Sequence, residues 1–367
     1  MYAIARTLRD WLGRPVPGIQ ANHQPTQPPQ PEDAPMPAGL PLHVTGRHSF
    51  VRLQDGAIIV EREGREVERL RLHEISQVAL HGTASATGPA IRELLTHGIP
   101  VLWRGESGWL AGLTADLSGR VSRTRRAHYA AAADPVRCLE IGRGIVAAKL
   151  ANTRALLRRR PESQARRTFM RLGTIVPAIA AAPSLAVLRG LEGSIAALHF
   201  AAWPVLLKAP DPSLVFGGRS RRPPRDPPNA LLSYLYAVLA GECTAAVLAA
   251  GLDPAVGFLH VERPGRPALA LDLLEPFRLA VADSAALFAL NSGEITGEHF
   301  ESADGGIRLG PLGRRRALAV LERRLGEPVR HPETASAVDW RRAIHLDAAR
   351  LARGLRNGTP VAFLEQR

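Results

Sequence analysis

The order of apolar and polar positions divides the chain into a strand-rich part and a helical part. From Leu42 onwards the chain is predicted to form strands, and segments 48–54 and 57–62 flank Asp55-Gly56, a dipeptide typical of a two-residue hairpin turn. Residues 42–115 are therefore predicted to form a small, mostly β domain. Its further strands are predicted at 67–72, 75–80, 101–104 and 108–113, with one helix at 87–97 that ends at Gly98.

After residue 118 the apolar positions follow helical spacing almost to the end of the chain. Leu188, Leu191, Ile195 and Leu198 form one such stripe, which would lie against a helical core. Residues 116–367 are predicted to form a larger all-α domain, so the fold class is α+β with two domains. The predicted helices are 134–159, 163–182, 184–202, 229–250 and 272–290.

Two other features of the sequence bear on domain organisation. Residues 14–41 contain nine prolines and no apolar run that could pack, so 1–41 is predicted to be a disordered tail or linker. The chain has 367 residues, and a single core usually stops growing at roughly 250 residues. Two domains are therefore expected. The acids of the β domain are expected to be solvated surface groups: Glu61, Glu63, Glu66, Glu68 and Glu74.

Charge and composition narrow the classes of partner and site. Lysine and arginine exceed aspartate and glutamate by 47 to 34, which favours a polyanionic partner, although arginine bias also arises from genome composition. We expect no membrane span or secretory signal, hence a cytoplasmic protein. Cys138 and Cys243 are far apart and lack metal-ligand spacing, so both are predicted to be core residues.

Glu192 and His260 occupy unusual positions in the apolar pattern. Glu192 lies beside the helical stripe, where a carboxylate is paired, neutralised or bound to a cation unless it reaches water at the stripe's edge. His260 ends the apolar run 256–259, where a histidine is also commonly structural.

Asp272 and Glu275 stand three residues apart, which places both carboxylates on one helical face. Such a pair can chelate a divalent ion, but the same spacing is a capping box with Asp272 as N-cap. With Glu192 and His260, the pair provides oxygen and imidazole ligands suited to Mg²⁺ or Mn²⁺. Sequence order alone leaves open whether the four lie close together.

The segment 216–228 combines four arginines with glycines and prolines, which keep the backbone out of regular structure. Guanidinium groups bind phosphate oxygens in pairs, so this segment is a candidate contact for a DNA backbone. A solvated loop is the alternative. The candidate DNA-binding residues are Arg219, Arg221, Arg222, Arg225 and Asn229.

Four short motifs occur in a familiar order: Gly190-Leu-Glu192-Gly193, Arg225-Asp226-Pro-Pro-Asn229-Ala-Leu-Leu-Ser233, Gly257-Phe-Leu-His260 and Leu271-Asp272-Leu-Leu-Glu275-Pro-Phe-Arg278. Over about residues 42–360 the chain resembles the CRISPR-associated endonuclease and spacer integrase family, CRISPR-associated protein one. Lys149 and Asn152 resemble positions in that family's first long helix. Residues 1–41 have no counterpart in the family core, and His199 stands where tyrosine is more usual.

The resemblance implies a metal-dependent DNA endonuclease and integrase that joins the 3′-hydroxyl ends of captured double-stranded DNA to a repeat array by phosphodiester transesterification. It implies that Glu192, His260, Asp272 and Glu275 form the catalytic Mg²⁺ or Mn²⁺ site, with Glu275 favoured over Asp272 as a direct ligand. It also implies a homodimer that joins CRISPR-associated protein two, with residues 42–115 as an interaction or dimerisation domain and residues 116–367 as the catalytic domain.

Two other functions fit the same residues. A non-catalytic DNA-binding scaffold would bind DNA without joining strands, and a structure-specific repair nuclease would use the same site on branched DNA. Metal-dependent strand joining would distinguish an integrase from the scaffold. Substrate preference would distinguish an integrase from the repair nuclease.

Overall fold

The computed structural model describes residues 39–114, 122–158, 160–303 and 305–366. These residues belong to one compact unit, Met36–Arg367. Most of the predicted tail 1–41 lies outside the described residues. Its last two positions do not belong to a tail, because strand β1 spans Leu40–Val44 and pairs in parallel with a buried neighbouring strand.

The first sheet is built around the predicted hairpin. Strand β2, Ser49–Gln54, pairs antiparallel with β3, Ala57–Arg62, and both turn residues have positive φ, 51° for Asp55 and 72° for Gly56. Such values match the turn that suits the twist of paired strands. Strand β4, Arg65–Arg71, and the two-residue β6, Ser85–Ala86, complete the sheet in the order β4-β3-β2-β6.

The second sheet has the order β1-β5-β7-β8. Strand β5, Ile75–His81, is buried throughout and lies between β1 and β7, Val101–Arg104, while β8, Leu110–Thr114, is antiparallel to β7. Helix α1, Gly88–Thr96, packs with both sheets around one apolar core. The glutamates of this part lie at the surface, as expected. Glu63, Glu66, Glu68 and Glu74 are exposed and Glu61 is half-buried.

The larger part of the chain is helical, and its helices surround a second core. The predicted helix 163–182 is two helices, and the predicted 272–290 begins four residues earlier and contains a π-helical turn, Arg278–Asp283. The helices are α2 Ser122–Ala133, α3 Pro135–Arg158, α4 Ser163–Gly173, α5 Val176–Ala180, α6 Leu185–Leu206, α7 Pro227–Ala249, α8 Ala268–Phe277, α9 Ser284–Asn291, α10 Pro311–Leu325 and α11 Trp340–Asn357.

The expectation of an all-α second part is wrong in detail. Two short antiparallel strand pairs interrupt it: β9, Phe300–Ala303, with β10, Gly306–Leu309, and β11, Pro328–Val329, with β12, Val338–Asp339. Gly305, with φ of 75°, supports the tight connection between β9 and β10. The fold class remains α+β, as predicted.

Two helices, α6 and α7, have the length and apolar composition of a membrane span, which the sequence was not expected to contain. Most of the apolar window of α7 is buried, and 28% of that of α6 is. Burial of this kind explains α7 as a central core helix, in which Cys243 is buried as predicted, and Cys138 of α3 is buried too. Length and composition alone carry no further conclusion.

A buried charge cluster connects the strand-rich part to the helices. Glu242 of α7 accepts hydrogen bonds from Arg104 of β7 at 2.9 Å, from Arg341 of α11 at 3.0 Å and from the Gln77 amide of β5 at 3.0 Å. Burial raises the pKa of Glu242, but Arg341 and Arg104 outweigh it and hold the pKa at about 2. This carboxylate therefore stays ionised and joins three elements that are distant in sequence.

We expect Glu242→Gln to lower the free energy of unfolding by about 3 kcal/mol, because it leaves the buried Arg104 guanidinium without its counter-charge and removes one of the two carboxylates that pair with Arg341. The wild-type contribution exists above the ordinary pKa of 4.5 and is lost as pH falls towards 2. Urea unfolding from pH 3 to 7 measures both effects. Glu66→Gln, in an exposed pair with Arg69, is the control; equal stability of Glu242→Gln and wild type would contradict the prediction.

Candidate functional site

Three helices bring two of the candidate acids to one buried lysine. Glu192 lies on α6 and Glu275 on α8, and Lys149 of α3 donates to Glu192 Oε1 and, at 2.6 Å, to Glu275 Oε2. The lysine side chain is 1% exposed, while Glu192 retains 21% exposure. Glu192 is therefore a paired carboxylate at the edge of the core, as its place beside the apolar stripe requires.

Glu275 is held ionised by two cations. Its Oε1 accepts from Arg278 Nη1 at 3.1 Å, and the guanidinium carbon of Arg278 lies 4.1 Å from the centre of the Tyr236 ring. Burial raises the pKa of Glu275, but the charges of Lys149 and Arg278, followed by that of His260, lower it to about 2.

Asp272 is fully buried and holds the loop that carries His260. Its oxygens accept from the backbone N–H groups of Phe258 at 2.6 Å, Leu259 at 3.0 Å and His260 at 2.9 Å. The alternative of a capping box is wrong, because α8 begins at Ala268 and Asp272 lies in its second turn. Asp272 thus closes the loop onto the helix.

The same carboxylate orients the imidazole of His260. Nδ1 of His260 lies 2.7 Å from Asp272 Oδ1 and donates to it, which leaves the Nε2 lone pair free to bind a cation or accept a proton. A carboxylate behind the ring is the usual outer partner of a metal-binding histidine. Gly257 permits the close approach, since a Cβ there would lie 3.0 Å from Asp272 Oδ2 and 2.9 Å from Ala268 Cβ.

The donor set suits a divalent cation, although it is not assembled as a cluster. Among the described residues, no three histidine, cysteine, aspartate or glutamate side chains are grouped so that they could hold a metal. Lys149 bridges Glu192 and Glu275, which shows that these carboxylates already converge on a cation. Two carboxylates and an oriented imidazole suit Mg²⁺ or Mn²⁺. These residues fit such an ion if the Lys149 ammonium moves away from the two carboxylates.

A small cavity adjoins Lys149 and Arg278 and contains a polar trio that the sequence did not indicate. His199 Nε2 lies 2.6 Å from Asp283 Oδ2, and the Tyr236 hydroxyl donates to the other oxygen of Asp283. His199 is seven residues after Glu192, two helical turns along one face, and this spacing was the available signal. Asp283 and Tyr236 carried no comparable signal.

The arginine-rich segment divides into an inner and an outer part. The guanidinium carbon of Arg219 lies 5.7 Å from the ring centre of Phe200 and 5.5 Å from that of Tyr236, and burial lowers the pKa of Arg219 to about 10. Asn229 is fully buried and accepts from Arg219 at 2.7 Å and from the Ser220 N–H at 3.0 Å. Both side chains therefore pack within this segment, and their contact with DNA stays a prediction.

The outer part of the segment offers free cationic groups. Arg221, Arg222 and Arg225 are exposed. Asp226 caps α7 by accepting the N–H of Asn229 at 2.8 Å, which fixes the end of the segment from which these arginines extend. Three of the five candidate DNA-binding residues are thus placed where a phosphate backbone could reach them.

Comparison with known proteins agrees with this architecture. The family model described as CRISPR associated protein Cas1 matches residues 42–323. The chain is 41% identical over 332 residues to a CRISPR-associated exonuclease Cas4/endonuclease Cas1 fusion of Geobacter sulfurreducens, which covers 88% of this chain and 59% of that protein. It is 40% identical over 296 residues to CRISPR-associated endonuclease Cas1 1 of Thermus thermophilus, covering 80% and 89%.

A solved structure extends the likeness to the fold. A casposase bound to integration product superposes with a TM-score of 0.72 at 23% identity, covering 88% of this chain and 92% of that one. The order of the sheets and helices is therefore shared with that structure. In this chain it places a polar site between α3, α6 and α8. The chain belongs to the Cas1 family, and the resemblance inferred from its four motifs is confirmed. It spans about three fifths of the fusion relative's length.

Proposed function

We propose that this chain is a metal-dependent DNA endonuclease and integrase, which joins 3′-hydroxyl ends of captured DNA to a repeat array. The observation that carries the proposal is the convergence of Glu192 and Glu275 on one cation beside a histidine oriented by Asp272. The endonuclease name of the Thermus relative supports the same class of reaction. A homodimer bound to CRISPR-associated protein two is part of the proposal.

In the proposed reaction, the oxygen of the incoming 3′-hydroxyl attacks a phosphorus at the repeat boundary. The bond from that phosphorus to its former 3′ oxygen breaks, and this oxygen takes up a proton. Water in place of the hydroxyl gives hydrolysis instead. Glu192, Glu275 and His260 Nε2 would hold Mg²⁺ or Mn²⁺, which when bound supplies polarisation of the phosphoryl oxygen and a lower pKa of the attacking hydroxyl.

The chain's own residues prepare this site before DNA arrives. Asp272 keeps the proton of His260 on Nδ1, so Nε2 remains available. Arg278 and Lys149 keep Glu275 ionised despite its burial. The exposed arginines 221, 222 and 225 would contact the phosphate backbone and fix the position of the duplex. No nucleophilic side chain is required, because the attacking group belongs to the DNA.

We expect His260→Ala to reduce strand joining by about 100-fold or more while DNA affinity is kept, because the variant loses an oriented ligand. The measurement is transfer of a labelled duplex into a supercoiled repeat-bearing plasmid in Mn²⁺, with CRISPR-associated protein two present. His97→Ala, at an exposed position, is the matched control. Joining by His260→Ala at the wild-type rate would refute the site and favour the scaffold alternative.

We expect simultaneous replacement of Arg221, Arg222 and Arg225 by Ala to weaken DNA binding alike for all sequences. If each arginine neutralises one phosphate, the slope of log affinity against log salt becomes less negative by roughly 2 to 3. Fluorescence anisotropy from 50 to 300 mM salt measures the slope. Arg69→Ala, on the exposed strand β4, serves as the control; an unchanged slope in the triple variant would exclude this segment from the interface.

A further inference from the structure

The cation between the two carboxylates is a lysine in a chain that hardly uses lysine. Of 47 lysines and arginines only Lys149 and Lys208 are lysines, which leaves 45 arginines. Lys208 is 63% exposed and pairs with Glu162, whereas Lys149 is 1% exposed. An ammonium is a compact point charge, while a guanidinium is a planar fork that needs more room. The buried position is therefore suited to a small cation.

Lys149 lies between two carboxylates that come from different helices. One ammonium nitrogen contacts an oxygen of Glu192 from α6 and an oxygen of Glu275 from α8. Two carboxylates brought together repel each other unless a cation lies between them. A divalent ion that used the same two side chains would compete with the lysine for their negative charge.

We propose that Lys149 is an internal counter-cation, which holds Glu192 and Glu275 together in the metal-free protein and competes with the divalent ion for them. The inference rests on the proposed metal site and adds a control on its affinity. Lys149 also lines the adjoining cavity, where the carboxylate of Asp283 is present among mostly apolar side chains and Arg278, so a displaced ammonium would have one anionic group beside the site. Metal binding is thus an exchange of cations rather than the filling of an open cluster.

The test measures Mn²⁺ affinity by calorimetry and thermal unfolding with and without Mn²⁺. We expect Lys149→Met to bind Mn²⁺ at least tenfold more tightly than wild type, because no internal cation must be displaced. Its metal-free form should unfold at a lower temperature, and Mn²⁺ should raise that temperature more than it does for wild type. Lys149→Arg keeps the charge and should bind no more tightly, and Lys208→Met should match wild type.

The outcomes separate this inference from the proposed function. Equal or weaker Mn²⁺ binding by folded Lys149→Met, with binding lost in His260→Ala, overturns the counter-cation alone. Failure of both wild type and Lys149→Met to bind Mn²⁺, or unchanged binding in His260→Ala, overturns the metal site and the inference together. If circular dichroism shows that Lys149→Met does not fold, Lys149→Gln, which keeps a neutral donor, takes its place under the same criteria.

Discussion

The pairing of one buried ammonium with two carboxylates fixes the centre of this protein. Lys149 joins α3 to α6 through Glu192 and to α8 through Glu275. One turn further along α3, Asn152 donates to the carbonyl oxygens of Pro276 at 2.7 Å and Leu364 at 2.9 Å. Helix α3 therefore sets the spacing of the two acids and anchors the C-terminal segment. Without a cation between them, the two ionised groups would repel each other at the edge of the core.

The end of α8 shows how irregular backbone serves the same centre. Pro276 lacks the N–H that a helix interior uses, and after Phe277 six residues form the π-helical turn Arg278–Asp283. The first residue of that turn contacts Glu275, and the last contacts His199. Asp272, one turn before Pro276, orients His260. Helix α8 thus carries the proposed ligand Glu275 and also Asp272, which orients His260. The π-helical turn that follows carries Asp283, the partner of His199.

Local patterns in the sequence predicted what depends on local geometry. The Asp55-Gly56 turn and helix α1 lie where their residue types require, and the positions of Glu192 and His260 in the apolar pattern marked them as unusual. The start of the helix containing Asp272 was predicted four residues too late, because the apolar residues 268–271 are its first turn. Lys149 was noted only through the family, since its partners are 43 and 126 residues away. No periodicity encodes such distant contacts.

The central claim is that Glu192, Glu275 and His260 bind a divalent ion in exchange for Lys149. Anomalous scattering from a crystal of the protein soaked in Mn²⁺ tests it most directly. The account predicts one peak at coordination distance from both carboxylates and from His260 Nε2, with the Lys149 ammonium withdrawn from at least one carboxylate. A lysine that still bridges both carboxylates in saturating Mn²⁺, with no peak beside His260, would contradict it.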